Sequence, residues 1–184
     1  MQKLISAYEE PQRKYHTLQH LSECLSLLSR NLHLAMEPGE VEMALWFHDA
    51  IYNVRAHDNE IRSADWAGDE LSRAGVEAER IERVRGLVLA TRHSALPEGH
   101  DQMLLVDIDL SILGACRARF DEYESQVREE YAWVPESLFR RKRAEVLAKF
   151  LARQPLYNTP QLREALERQA RENLAYSLKH LRGD

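Results

Sequence analysis

Sulfur, glycine and proline are scarce in this chain, and each scarcity removes a class of protein. Two cysteines in 184 residues, Cys24 and Cys116, cannot make a disulfide framework, and they form no closely spaced pair of the zinc-ribbon kind. Both fall in stretches with helical patterning and read as small core hydrophobes. With 7 Gly and 6 Pro, collagen-like and low-complexity architectures are excluded. No apolar run approaches the ~20 residues that span a bilayer, so no membrane partner is expected. The opening stretch, MQKLISAYEEPQRKYH, meets acidic residues too early for a signal peptide. A reducing, cytoplasmic setting is the expectation. Positive charge is also short: the net charge of −5 argues against a nucleic-acid-binding surface. The one basic run, FRRKRAE at 139–145, reads as a solvated helix face, with a phosphate clamp as its functional alternative.

What remains is ordinary globular material, 44% hydrophobic and 30% charged, long enough for a real core. Strand-like alternation holds nowhere for long, and apolar residues recur at helical spacing. Leu21, Leu25, Leu28 and Leu32 form one stripe, ended by MEPGE. Val41, Ala44, Leu45, His48, Ile51 and Tyr52 mark a second helix, with His48 inside its stripe. After the polar loop NVRAHDNE, Asp58 or Asn59 is placed to cap a helix carrying Ala64, Ala67 and Leu71. Gly75 closes it. Ile81, Val84, Val88 and Thr91 mark another helix. LLVDIDLSILGA, 104–115, reads as a buried helix or a short strand leading into one. Three further helices are expected from Phe120, from Pro135 to about Leu151, and from Pro160. The expected fold is all-α: a single domain over residues 1–184, a bundle of roughly eight helices with short connections.

Several polar residues interrupt these greasy patterns. In YHTLQHL, 15–21, His16 and His20 stand four apart, a spacing that puts both on one face of a helix. In WFHDAIY, 46–52, His48 and Asp49 lie between Trp46, Phe47 and Ile51. In LLVDIDLSILG, Asp107 and Asp109 sit among leucine, valine and isoleucine. Buried imidazoles need partners, and buried carboxylates need a counter-charge or a metal. Asp107 and Asp109 face different ways in a helix, so one of them at most is a direct ligand; Asp109 shares a face with Leu105 and Ile112. Two imidazoles and two carboxylates suit a divalent transition ion with positions left for water and substrate. Softer candidates are His93, in ATRH, as a ligand to a second ion, and Glu60, in DNEIRSA, as a carboxylate that orients water. His57 and His100 read as solvated, and Arg62 as an ordinary surface arginine.

The ordered set His…His-Asp…Asp on a helical bundle resembles the HD superfamily of metal-dependent phosphohydrolases, from Tyr15 to about the final helix. The longer string YHTLQH, WFHDAIY, DNEIRSA, ATRH and DIDLSILG is similar to an uncharacterised bacterial group of predicted HD phosphohydrolases. A more distant similarity is to cyclic-nucleotide phosphodiesterases, with their Tyr-His motif, HD pair and Asp-Leu-Ser. That likeness implies that His16 donates a proton to the leaving group and that His20 is a ligand. It also favours Asp109 over Asp107 as the last ligand. The histidine that follows the HD pair in those enzymes is absent here, with Tyr52 nearby, so cyclic-nucleotide specificity does not follow.

The resemblance therefore implies hydrolysis of a phosphate ester or phosphoanhydride of a nucleotide-like or other small molecule. The implied ligands are His20, His48, Asp49 and Asp109, holding one or two ions of Mn, Mg, Zn, Fe, Co or Ni. His16, Asp49 and Glu60 are the expected catalytic groups. A homo-oligomer is compatible with all this. Two other readings stay open: a di-iron oxygenase on the same fold, which would need further ligands such as His93, and a ligand-sensing module that keeps the metal for stability.

Overall fold

A computed structural model describes residues 2–183. It is all-helical, with nine α-helices and no strand among the described residues. None of these helices is long and apolar enough to cross a membrane. The chain packs as two compact units, one up to Asp109 and one from Leu110 onward.

The first unit holds α1 (Gln2–Tyr8), α2 (Leu18–Arg30), α3 (Pro38–Phe47), α4 (Asn59–Arg73), α5 (Ala78–Ala90) and α6 (His100–Asp109). Thr17 starts α2 by accepting the Gln19 N–H on its hydroxyl, the ordinary N-cap exchange. The buried stripe of α2 is His20, Leu21, Cys24 and Leu28. Leu32 was expected to continue it, but the helix ends at Asn31, and Leu32 falls in a short 3-10 turn, exposed. Pro38 opens α3, where its missing N–H costs nothing. This helix ends at Phe47, earlier than the apolar spacing through Ile51 and Tyr52 suggests. Asp58 takes the cap position of α4 without a side-chain cap bond. Asn59 instead exchanges hydrogen bonds with Asn53, accepting its N–H and donating to its carbonyl. Gly75 ends the α4 turn at φ +76°, a conformation open to glycine. The 104–115 segment resolves as helix to Asp109, then a 3-10 turn.

The second unit is the 3-10 turn Leu110–Gly114, α7 (Arg117–Glu130), α8 (Glu136–Ala152) and α9 (Pro160–Arg182). Leu162, Ala170, Leu174 and Leu178 of α9 are buried, as their spacing requires. Cys116 departs from its reading as a core residue. It sits in the break before α7 and is exposed, whereas Cys24 is buried. The basic run lies on α8 and is largely engaged within the protein. Arg140 donates to the carbonyls of His180 and Leu181 at the end of α9, Arg143 pairs with Glu124, and Lys142 pairs with Glu145.

Candidate metal centre

Three segments of the first unit bring polar side chains to one point. The early end of α3 is decisive for the HD pair. Inside a continuous helix, neighbouring residues diverge by about 100°. At the helix end His48 keeps a helical conformation and the chain then turns, so Asp49 Oδ2 comes to 3.1 Å from His48 Nε2. His48 Nδ1 lies 2.7 Å from the carbonyl oxygen of Leu45. A carbonyl only accepts, so Nδ1 carries the proton and Nε2 is the nitrogen turned to the cluster.

His20 reaches the same point from the first turn of α2. Its Nε2 is 3.1 Å from His48 Nε2, 3.2 Å from Asp109 Oδ1 and 3.6 Å from Asp49 Oδ2. Its Nδ1 is 2.9 Å from the Tyr15 hydroxyl. With Nε2 turned to an ion, Nδ1 holds the proton and the Tyr15 oxygen accepts it, an outer contact that orients a ligand ring. Asp109, the last residue of α6, divides its two oxygens. Oδ1 faces the imidazoles, and Oδ2 lies 3.0 Å from His93 Nε2. His93 adopts a left-handed backbone, φ 52°, which is costly for a side-chain-bearing residue.

His20, Cys24, His48 and Asp109 offer ligand atoms all within 4.8 Å of one another, and this cluster could hold a metal ion. Which four groups would do so is decided by direction. The Cys24 sulfur is 3.7 and 3.8 Å from the two ring nitrogens of His20. Almost equidistant from both, it lies beside the ring and off the outward direction of Nε2. Burial, then the charges of Asp109 and Asp49, push its thiol up. Asp49, in contrast, approaches both Nε2 atoms. Donor atoms at ~2.1 Å from one ion stand ~3.0 Å apart in an octahedron and ~3.4 Å apart in a tetrahedron. The separations of the His20 and His48 Nε2 atoms from each other and from the Asp49 and Asp109 oxygens run from 3.1 to 3.6 Å. The donor set fits an ion.

The electrostatics point the same way. Burial would lower His48, but the carboxylates of Asp49 and Asp109 raise it well above the ordinary imidazole value. Burial would raise Asp49, but the charges of His48 and His16 hold it far below the usual carboxylate range. Asp109 is likewise held low against burial by hydrogen bonds from His20, His48 and His93. Anionic oxygens thus gather around a point that favours positive charge. The imidazoles are 3% and 1% exposed and the carboxylates 18% and 13%, so the cluster opens to solvent on its oxygen side.

His16 is not on the helix with His20. It precedes the Thr17 cap, half-buried, with its ring stacked on Tyr52 at 4.0 Å and its centroid 6.2 Å from that of His20. Glu60, in the first turn of α4, makes no hydrogen bond or ion pair with the cluster among the described residues. Asp107 is wholly buried on α6 but is not among the groups that meet at His20 and His48. Arg62 is exposed, as expected of a surface arginine.

Two residues with a part in the site escaped the sequence reading. Tyr15 was visible only as part of a motif, and its contact with His20 comes from the turn before α2. Arg13 sits in a polar stretch without periodicity, yet is 3% exposed. A charge three residues before His16 carried no sign of burial. No family model, curated protein or solved structure matches the chain.

Proposed function

We propose that the chain is a metal-dependent phosphohydrolase of the HD type, acting on a phosphate ester or phosphoanhydride of a small molecule. The observation that carries this reading is the meeting of the buried His20 and His48 Nε2 atoms with the partly exposed carboxylates of Asp49 and Asp109. The order of these residues along the chain is that of the HD superfamily. Two imidazoles and two carboxylates suit a borderline divalent transition ion.

The residues divide the work by position. His48, fixed by its bond to Leu45, and His20, held by Tyr15, present ring nitrogens that need no reorientation. Asp49 and Asp109 supply the negative charge. A divalent ion held there would polarise the phosphoryl oxygen and lower the pKa of water. Asp49, adjacent to both imidazoles, is the carboxylate placed to accept a hydrogen bond from the attacking water; Glu60 has no contact that would give it that role. His16, beside the cluster and steadied by Tyr52, is the proton donor to the departing oxygen.

The contact between His93 and the second oxygen of Asp109 favours one alternative: with Asp109, His93 would help to hold a second ion, as the di-iron oxygenase reading requires. Elemental analysis and absorption spectroscopy separate the two: one redox-inert or manganese-type ion supports the hydrolase, two redox-active irons the oxygenase. The direct test is release of phosphate from a panel of phosphorylated metabolites by the metal-loaded protein. Loss of that activity in His20→Ala is the expected result; phosphate release unaffected by chelation and by His20→Ala would sink the proposal.

A further inference from the structure

We infer that Arg13 is a positioning residue for this centre, locking the His16 turn and the HD turn into one register. The inference rests on reading the cluster as a metal site.

The guanidinium is buried, with no exposed side-chain surface, and its donors are spent on the site's own backbone. Nη1 donates to the carbonyl oxygens of His16 at 3.2 Å and Asp49 at 2.5 Å. Nη2 donates to the carbonyl of Ala50 at 3.0 Å, and Nε donates to Glu10 at 3.1 Å. Two of these carbonyls follow the end of α3, where no further helical turn supplies donors. A buried cation with three carbonyl partners is an unusual way to finish a turn, since simpler caps exist.

The rings around it extend the same fastening. Arg13 lies over the Tyr8 ring at 5.3 Å and the Tyr52 ring at 5.5 Å, and Tyr52 stacks in turn on His16. Tyr8 itself donates its hydroxyl to the carbonyl of Trp46, just before the HD pair. One side chain therefore touches both the segment that presents the proton donor and the segment that presents two ligands. Backbone freedom at Asp49 translates directly into displacement of its carboxylate from His48. The planar fork that reaches three carbonyls has no equivalent in lysine, whose ammonium is a single point.

The test uses Co(II) alone as probe, on the full chain freed of metal by chelator. Affinity by calorimetry and the Co(II) absorption spectrum are measured for wild type, Arg13→Lys and Arg13→Ala, well below each melting temperature. The expected result is Co(II) affinity lowered about 10–100-fold in Arg13→Ala, as for outer partners of metal ligands, with an altered spectrum. Arg13→Lys should fall between, and added guanidinium should restore part of the Arg13→Ala loss. Variants that melt lower yet bind Co(II) with wild-type affinity and spectrum would overturn the inference, leaving Arg13 a packing residue. If Arg13→Ala does not fold, Arg13→Lys decides on the same two readouts. A wild type that binds no Co(II) overturns the metal reading itself and Arg13's role with it, an outcome distinct from variants that match a binding wild type.

Discussion

Both units bury polar groups, but they satisfy them differently. In the second unit Asn173, Tyr157, Glu167 and Glu124 find their complements within the protein. Asn173 donates to the carbonyls of Leu113 and Ala115, both at 2.9 Å, and the Tyr157 hydroxyl donates to Leu110. Glu167 accepts the N–H groups of Leu156 and Tyr157 and pairs with Arg171, while Glu124 pairs with Arg143 and accepts the Ser177 hydroxyl. In these networks donors meet acceptors; Arg117 Nη2 is buried without such a partner, its guanidinium lying over the Tyr176 ring instead. In the first unit, two carboxylates and two imidazole Nε2 atoms face one another; with the ring protons on Nδ1 all four groups are acceptors, an excess that a metal ion could answer. A polar network that closes on itself is structural; one that needs an outside charge is a site.

The largest expected effect follows from that excess. Alanine at His20, His48, Asp49 or Asp109 should lower metal affinity by more than the about 10–100-fold typical of outer partners, read by elemental analysis after desalting. Chelation of the wild type should lower its melting temperature by several degrees and metal should restore it, because binding to the folded state is folding free energy. Unchanged metal content in two or more of these variants would put the first unit in the same class as the second.

Next in size is the split between the two histidines of the opening motif. His20→Ala should lose metal and activity together. His16→Ala should keep its metal and lose activity by about a hundredfold or more, and less for a substrate whose leaving group is a nitrophenolate. Metal lost with His16 and kept with His20 would exchange the roles.

The second unit provides the contrasting variants. A Cβ added at Gly114 would stand 2.7 Å from Leu166 Cβ and 2.9 Å from the Leu166 carbonyl oxygen, so Gly114→Ala must push α9 aside. Overpacking of this kind costs about 1–3 kcal/mol. Asn173→Ala, which leaves two carbonyls without their donor, should cost about 1–3 kcal/mol. Both should lower the urea midpoint and leave metal affinity unaltered. A change in metal affinity would mean that the two units do not divide structure from site.

The fold class was legible because helical periodicity is written locally: Leu162, Ala170, Leu174 and Leu178 announce α9 without knowledge of any other element. The meeting of His20, His48, Asp49 and Asp109 was legible for a different reason, that polar residues in apolar stripes ask for partners. What the pattern concealed was where helices stop. Ile51 and Tyr52 keep the spacing of α3 although the helix ends at Phe47, and His16 keeps the spacing of α2 although that helix begins at Leu18. At those ends stand the Arg13 bonds to the Asp49 and Ala50 carbonyls and the Thr17 cap, contacts that no hydrophobic period records. Cys116 was misplaced for the same reason, since it sits in the break that opens α7.

The smallest effect sharpens the contrast inside the first unit. Glu40, at the start of α3, is a buried carboxylate that does have its counter-charges: Arg83 at 2.7 Å and Arg80 at 3.0 Å, both from α5. Hydrogen bonding from Arg83, more than enough to offset burial, lowers its pKa from 4.5. A carboxylate whose folded value is depressed stabilises the fold fully above its unfolded value, and that stabilisation fades as pH falls through the folded value. The arginines are partly exposed, so screening limits the contribution to about 1 kcal/mol. Glu40→Gln should therefore melt below the wild type at neutral pH, and the gap should close as pH is lowered beneath about 4. Chelator should shift both proteins equally, because Glu40 answers to arginines and not to an ion. A gap that persists in acid would mean that the charge of Glu40 contributes nothing, and a gap that chelator abolishes would tie Glu40 to the metal centre after all.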